Sequence, residues 1–334
     1  MTGASAPVHP SPGLAPVRLA IVGVGHLGRH HARVAAELPG IALVGIHDHH
    51  EGRAEEVARE RGLRVLSGPD EVAEAAEAVV VATPTSSHGE LGRFFLERGL
   101  DVLVEKPLAP AVEEASALVA LARSLSRVLA VGHVERHNPA VQALLARTEP
   151  PLFIEGLRLA PFTPRSLDVD VVLDLMIHDL QIVSDLVRRP VVEIRAVGMP
   201  VVTSRIDIAN ARLEFEGGCV ATLTASRVSP ERMRKLRVFG PSLYCSVDMH
   251  ARTIRARRLA DGGGRTALPV NVDVPVESGD PLTRELEDFA GAVRERRDAL
   301  VSGEVGRDAL VLAHQVLDAI AAHRAKAGAG GARA

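Results

Sequence analysis

One lysine stands where an ammonium group could take part in a reaction. The chain has 39 basic residues, and only Lys106, Lys235 and Lys326 among them are lysines. Lys106 ends a short apolar run and lies between Glu105 and Pro107, which lacks a backbone donor and stiffens the turn. An ammonium group there could hold and polarise a substrate hydroxyl. The alternative is a surface ion pair with Glu105.

A second set of polar residues follows one face of a predicted helix. The apolar positions between residues 170 and 187 predict that helix. Its polar stripe consists of Asp174, His178, Gln181 and Asp185. Asp174 and His178 are one turn apart, so the carboxylate could orient the imidazole and stabilise its protonated form, as a general base for alcohol oxidation requires. A solvated helix face is the alternative.

The residues from 17 to 48 predict a dinucleotide site. Gly23, Gly25 and Gly28 have the G-x-G-x-x-G spacing, with an apolar run before them and a helical pattern after them. Asp48 follows about twenty residues later, at the end of a second apolar run. A carboxylate at this position accepts hydrogen bonds from the ribose hydroxyls and repels a 2′-phosphate, which favours NAD over NADP. Arg53 blurs that preference, because arginine often holds a 2′-phosphate.

These residues need a sheet that brings them together. Six short apolar runs, one of them at residues 63–66, alternate with helical patterns. The alternation predicts an α/β fold with a doubly wound parallel sheet, a Rossmann domain over residues 17–150. Gly25, Asp48, Thr83, Lys106 and His133 each follow a predicted strand. Because ligands bind beyond the carboxyl ends of such strands, we expect these five residues to line one cleft.

The pattern changes after residue 150. A strand at 152–159 and six short runs between 191 and 257, with a hairpin at Gly217 and Gly218, predict an open antiparallel sheet. Helices are predicted at 170–187, 281–296 and 305–323, and the last is expected to pack back on the first domain. Together they form an α+β substrate and oligomerisation domain over residues 151–325. Residues 1–16 are predicted to be a disordered tail and residues 326–334 a frayed one.

Bulk properties exclude several classes of protein. The net charge is −3, so the chain lacks the basic surface of a nucleic-acid binder. No apolar run reaches the ~18 residues of a membrane helix. Cys219 and Cys245 lack metal-ligand spacing, which favours a reducing cytoplasm. The histidines on the first helix and around Asp48 are interpreted as polar neighbours of the cofactor, so no metal is expected.

Taken together, the motifs resemble the Gfo/Idh/MocA family of nicotinamide-dependent sugar and cyclitol oxidoreductases. The resemblance covers residues 17–325. It rests on the glycine motif with Asp48, Ala82-Thr-Pro-Thr-Ser-Ser-His88, Glu105-Lys106-Pro107 and Asp174-x-x-x-His178. It implies a catalytic group of Lys106, Asp174 and His178, and a C-terminal domain whose open sheet face forms a homodimer or homotetramer.

Expected ligand contacts follow from the same resemblance. For the cofactor they are Gly23, Gly25, His26, Leu27, Gly28, Asp48, Arg53, Thr83, Pro84, His88, Glu105 and Lys106. For the substrate they are His133, Arg136, Asn138, Arg165 and Gln181, the last standing where many members carry an acid. Residues 131–139 and 172–180 look like the branch that acts on UDP-N-acetylhexosamines, which implies oxidation at C3 of such a sugar. From the residues alone, Arg158 and Arg165 could clamp a phosphate or a carboxylate.

Three other functions stay open on the sequence. The chain could oxidise inositol or another free sugar, regulate without turnover while binding NAD, or act as a glycosidase that oxidises its substrate transiently. The intact set of Lys106, Asp174 and His178 argues against the regulator. The chain has one tyrosine, Tyr244, and no tryptophan, so a platform for a uracil ring is not evident.

Overall fold

A computed structural model describes residues 15–146, 149–164, 169–259 and 269–331. In its first half, five parallel strands form one sheet in the order β2-β1-β3-β4-β5. The strands are β1 (Val17–Val22), β2 (Ile41–His47), β3 (Ala78–Val81), β4 (Asp101–Glu105) and β5 (Leu129–Gly132). Most of their side chains are buried, as expected for parallel strands with helices on both faces. The predicted Rossmann sheet is confirmed.

Six helices connect or follow these strands. They are α1 (His26–Glu37), α2 (Glu51–Arg61), α3 (Pro69–Ala75), α4 (His88–Glu97), α5 (Val112–Ser124) and α6 (Pro139–Leu145). Helix α6 was not predicted, although its signals are present in the sequence. Asn138 caps it by accepting the N–H of Ala140, and Pro139 occupies the first turn.

The strand predicted at residues 63–66 is wrong. Only Val65 bridges to Ile46 there: the N–H of Ile46 donates to the carbonyl of Arg64, and its carbonyl accepts the N–H of Leu66. The chain then leaves the sheet, because the backbone N–H and hydroxyl of Ser67 both donate to Glu71 in α3. The parallel sheet therefore ends at β2.

A second sheet of eight strands has the order β13-β12-β11-β10-β6-β9-β8-β7. Its strands are β6 (Phe153–Leu159), β7 (Val191–Met199), β8 (Ile208–Phe215), β9 (Val220–Ser226), β10 (Met233–Phe239), β11 (Leu243–Asp248), β12 (Thr253–Leu259) and β13 (Pro269–Val272). The predicted hairpin is present, with positive φ at Gly217 and Gly218. The sheet is not wholly antiparallel, because β6 runs parallel to β9. No hairpin joins these two strands, so no tight turn forces them to be antiparallel.

Three further helices complete the described fold. Helix α7 (Ile177–Val187) follows a π-turn at Val172–Met176, and α8 (Pro281–Glu295) and α9 (Gly303–Gly331) close the chain. Leu286 and Phe289 of α8 share a core with Leu19 and Ile21 of β1. Helix α9 packs against β7 and α7 and also reaches α5 and β5, as predicted for packing on the first sheet. No helix among the described residues has the length and apolarity of a membrane span.

The predicted tails compare unevenly with this description. Helix α9 continues to Gly331, well past the predicted end at residue 323. Residues 326–331 are therefore helical, residues 332–334 lie outside the described residues, and the fraying of this end stays a prediction. Of the predicted N-terminal tail, residues 1–14 lie outside them as well.

Candidate active site

The glycine motif lies where the parallel sheet reverses its winding, between β1 and β3. Gly23 has φ of +86°, and a Cβ on it would lie 2.7 Å from the carbonyl oxygen of Ala82. A Cβ on Gly28 would lie 1.8 Å from the carbonyl oxygen of Gly23, so both glycines are required by the fold. A Cβ on Gly25 would meet no described atom within 4 Å. The space above Gly25, at the N-terminus of α1, is open to a phosphate.

Asp48 lies at the end of β2 with its side chain buried. Its carboxylate accepts the backbone N–H groups of Val24 and His50, both at 2.9 Å, and Arg53 Nη1 lies 3.4 Å from each oxygen. Burial raises the pKa of Asp48, but the hydrogen bonds from His50 and Val24 and the charge of Arg53 outweigh it, so the net pKa is below its usual value. A charged carboxylate therefore borders the glycine motif.

The loop after β3 forms a further side of the cleft. Thr83 and Pro84 begin it, and Ser87 donates to Thr83 Oγ1 at 2.8 Å. His88 is buried, with its ring nitrogens 2.8 Å from the Pro107 carbonyl and 2.9 Å from the Thr83 carbonyl. His88 thus links the loop after β3 to the loop after β4, and its contact with the cofactor stays a prediction. On the other side, His26 and Leu27 are exposed in the first turn of α1.

Lys106, which follows β4, contacts Asp174 in the π-turn before α7. The Lys106 ammonium donates to the Asp174 carboxylate at 2.9 Å and to its carbonyl at 2.6 Å. Both side chains are largely buried, at 12% and 18% exposure, so the pair is shielded from solvent. The surface ion pair with Glu105 considered from sequence is therefore wrong, since the ammonium binds Asp174 while Glu105 accepts from His31 and from the backbone N–H of Lys106.

The π-turn before α7 explains how Asp174 reaches the lysine. The N–H of Ile177 donates to the carbonyl of Val172, five residues back, which widens the helix locally. Asp174 is inside this turn and His178 is after it, so the simple helical stripe predicted from sequence does not apply there. Such π-turns often occur at functional sites.

Two histidines adjoin the lysine. The rings of His133 and His178 meet edge to face, with centroids 5.5 Å apart. Both nitrogens of His133 and Nδ1 of His178 are buried without a hydrogen-bond partner in the described chain. Burial, followed by the charge of Lys106, lowers the pKa of His133 to about 3 and that of His178 well below its usual value. His178 is therefore neutral at physiological pH and can accept a proton.

The other predicted substrate residues divide into two groups. Gln181 and Arg136 both bind Asp185, yet Oε1 of Gln181 and Nη1 of Arg136 are buried with no partner among the residues described. Asn138, by contrast, is engaged in the fold, because it caps α6 and donates to Glu135 and to the Met249 carbonyl. Arg165 lies outside the described residues.

A buried ion network under α7 was not predicted. Arg158 donates to Asp179 with two nitrogens, at 2.9 and 2.7 Å, and to Glu135 at 3.0 Å. Arg234 also donates to Glu135 at 3.0 Å. The network occupies Arg158, so its predicted role as a substrate clamp is wrong. Asp179 follows His178 directly, so Arg158 anchors the turn that carries the histidine.

Comparison with known proteins agrees with this geometry. The NAD-binding Rossmann-fold model of the Gfo/Idh/MocA oxidoreductase family matches residues 17–133, and the model of its C-terminal domain matches residues 159–242. UDP-N-acetylglucosamine 3-dehydrogenase from Acidithiobacillus ferrooxidans is 39% identical over 92% of this chain and 98% of its own. A structure of that enzyme superposes with a TM-score of 0.85, covering 92% of this chain and 99% of that one.

A second relative is more distant. The NAD(+)-dependent scyllo-inositol 2-dehydrogenase of Bacillus subtilis is 31% identical over 64% of this chain and 68% of its own. The family matches together span most of the described fold, and they include the glycine motif, Lys106 and the stretch from Asp174 to His178. The chain therefore belongs to the Gfo/Idh/MocA family of NAD-binding oxidoreductases, which act on CH–OH groups.

Proposed function

We propose that this protein oxidises C3 of UDP-N-acetylglucosamine, or of a closely related UDP-N-acetylhexosamine, with NAD as the oxidant. One observation carries the proposal. Buried polar atoms that lack partners in the described chain lie on His133 and His178, which are near enough to Lys106 to feel its charge, and on Gln181 and Arg136, which meet at Asp185 of α7. Such atoms are costly unless a ligand satisfies them, and they offer both donors and acceptors for sugar hydroxyls. The choice of sugar follows the relative that is 39% identical, a UDP-N-acetylglucosamine 3-dehydrogenase.

The residues at the strand ends fit a dinucleotide. The open space above Gly25 suits the pyrophosphate, and Asp48 is ionised and buried beside it. We favour NAD over NADP because a 2′-phosphate would approach this carboxylate, while Arg53 is already directed at Asp48. Bound at this site, the nicotinamide supplies the acceptor for a hydride.

Three side chains share the work at the hydroxyl. His178 is neutral and takes the hydroxyl proton as a general base. Lys106 donates to the same oxygen and stabilises the negative charge that develops on it. Asp174 holds the ammonium in place by its 2.9 Å hydrogen bond, so its role is to position the lysine. Burial of all three limits competition from water.

Oxidation of a free polyol is the second candidate. The inositol dehydrogenase relative supports it, although that match covers 64% of this chain. Tyr244 does not provide a platform for uracil in the cleft, because it stacks with Phe239, next to Phe153, on the outer face of the second sheet. The proposal of a nucleotide sugar as substrate therefore depends on the relative that is 39% identical and on the unpartnered polar atoms.

Reduced-nicotinamide absorbance on a substrate panel separates the two. The panel contains UDP-N-acetylglucosamine, free N-acetylglucosamine, UDP, myo-inositol and scyllo-inositol, each with NAD and with a trap for the keto product. We expect turnover with the nucleotide sugar alone. Turnover with an inositol and none with the nucleotide sugar would replace the proposal by the polyol reading. Confirmed NAD binding with no turnover on any compound would favour a regulator.

We further propose that the outer face of the second sheet joins copies of the chain into a homodimer or homotetramer. Phe153 and Phe239 are 38% and 36% exposed there, directly opposite each other across β6 and β10. An exposed aromatic row of this kind favours association. Light scattering of the purified protein would give the number of copies. The two buried cysteines agree with a reducing cytoplasm as the site of the reaction.

A further inference from the structure

Three titratable side chains meet behind the loop that carries Lys106. His31 comes from α1, Glu105 from the end of β4 and Glu285 from the first turns of α8. One side-chain donor or acceptor atom from each lies within 4.8 Å of the others, and all three residues are buried. We call His31, Glu105 and Glu285 the buried acid cluster. None of the steps proposed for the reaction uses it directly.

The cluster contains one carboxyl group too many for full ionisation. Glu105 accepts from His31 Nε2 at 2.8 Å, but both oxygens of Glu285 lack a hydrogen-bond donor among the described residues. Two carboxylates this close in a dry site repel each other, and one of them retains its proton. The unsatisfied oxygens identify Glu285 as that group, since Glu105 already has donors.

The electrostatic surroundings point the same way. Burial, then the charges of Glu105 and Asp288, raise the pKa of Glu285 well above its usual value. Burial raises the pKa of Glu105 too, but the hydrogen bond and charge of His31, with Lys106, outweigh it, and the net pKa is lowered. Asp288 is paired with Arg297 at 2.9 Å. No described cation pairs with the carboxyl group of Glu285.

The turn at Val134–His137, which packs on α8, supplies no cation to the cluster either. Its His137 faces Asp288, and burial lowers the pKa of that histidine to about 4, so it is neutral at physiological pH. Arg136 of the same turn is paired with Asp185 of α7. A proton on Glu285 is therefore the charge compensation that these neighbours leave.

The cluster is tied to the catalytic loop through Glu105. The second oxygen of Glu105 accepts the backbone N–H of Lys106 at 3.2 Å. Its carboxyl group also packs against β5, where a Cβ on Gly132 would lie 2.9 Å from it. A displaced Glu105 carboxylate would thus release the backbone of Lys106. The ammonium group is therefore linked to the cluster through the backbone of its own residue.

We propose that Glu285 is a positioning residue that stays protonated, and therefore neutral, at neutral pH beside the ionised Glu105, so that no like charge displaces the carboxylate that holds the loop carrying Lys106. Glu285 itself touches neither substrate nor cofactor in this account. Its loss of the proton at high pH places a second negative charge beside Glu105 and loosens the loop. The kinetic part of this inference rests on the proposed function, whereas the stability part does not.

Stability against pH tests the proton directly. The folded chain holds a proton on Glu285 that the unfolded chain releases above about pH 4.5, so folding loses stability as pH rises toward the raised pKa. Glu285→Gln keeps the shape and a donor but cannot ionise. Thermal unfolding between about pH 5 and pH 9 should show the wild type losing stability relative to Glu285→Gln as pH rises. The exposed neighbour gives the matched control, Glu287→Gln, which should follow the wild type.

Kinetics and metal analysis complete the test. We expect the kcat of the wild type to fall at high pH, as Glu285 loses its proton. Glu285→Gln should keep kcat at neutral pH within about threefold of wild type and should not show that fall, while Glu285→Leu should lower kcat at least about tenfold. A stability difference between wild type and Glu285→Gln that does not change with pH would overturn the inference. So would one divalent metal ion per purified wild-type chain that Glu285→Gln lacks, because the two carboxyl groups would then share a metal. If the wild type turns over no sugar, the proposed function fails while the unfolding comparison still decides the protonation.

Discussion

Replacing Gly25 or Gly28 by alanine should have opposite effects on the stability of the fold and on the affinity for NAD. Gly28 packs on the backbone of Gly23, so the new Cβ would be only 1.8 Å from a carbonyl oxygen. Gly25 has φ of −68°, outside the left-handed region that favours glycine, and no described atom lies within 4 Å of its added Cβ. The fold thus requires Gly28, whereas only a ligand requires Gly25.

The two magnitudes follow from these distances. In Gly28→Ala the helix must move by more than about 1 Å, and overpacking of this kind costs about 1–3 kcal/mol or more. In Gly25→Ala unfolding should be unchanged, but the backbone could no longer approach a pyrophosphate. Loss of one hydrogen bond to a charged group costs about 1.5–3 kcal/mol, which is about 10- to 100-fold in the dissociation constant for NAD.

Thermal unfolding and calorimetric titration with NAD measure the two effects separately. We expect Gly28→Ala to lower the midpoint of unfolding, and Gly25→Ala to keep the wild-type midpoint while binding NAD weakly. A Gly25→Ala protein that binds NAD as tightly as wild type would refute the placement of the pyrophosphate above Gly25. An unchanged midpoint for Gly28→Ala would refute the close packing of α1 on β1.

Three further predictions concern the site itself. Lys106→Met should lower kcat by about 10²- to 10³-fold, because one donor to the developing negative charge is lost; NAD affinity should change less than about twofold, and the control is Lys235→Met, at a half-exposed lysine of the second sheet. Asp48→Ser should raise kcat/KM for NADP relative to NAD by at least about tenfold, since the charge that repels a 2′-phosphate is gone; an unchanged ratio would contradict the assignment. Because burial lowers the pKa of His178, the base is lost only as pH falls through that lowered value, so the acidic limb of kcat/KM should lie below pH 6.5; a limb at or above 6.5 would argue against His178 as the base.

The cleft could be predicted because strand ends are a local property of the sequence. Continuous apolar runs alternating with helices require a parallel sheet, and the carboxyl ends of its strands share one edge. The sequence predicts five residues at that edge: Gly25, Asp48, Thr83, Lys106 and His133. In the structure each of them follows the end of a strand within three residues. The run at residues 63–66 misled because its side chains suit a strand while Ser67 and Glu71 draw the chain away.

Contacts between distant segments could not be predicted in the same way. Lys106 and Asp174 are 68 residues apart, and a π-turn that no apolar periodicity reveals brings them together. In the sequence Arg158 is a candidate for binding a ligand, but in the structure its guanidinium is bound to Glu135 and Asp179. One signal for the burial of Glu285 was present in the sequence. It lies beside Leu286 on a helix whose neighbouring positions face the core.

The fate of the hydrogen on C3 tests the central claim most directly. UDP-N-acetylglucosamine deuterated at C3 would be mixed with the protein and NAD, and the reduced cofactor would be analysed by mass spectrometry. We predict one deuterium on the nicotinamide of the wild-type reaction and essentially none with Lys106→Met in the same time. Reduced cofactor without deuterium would show that another carbon is oxidised, and no reduced cofactor at all would contradict the nucleotide sugar as substrate.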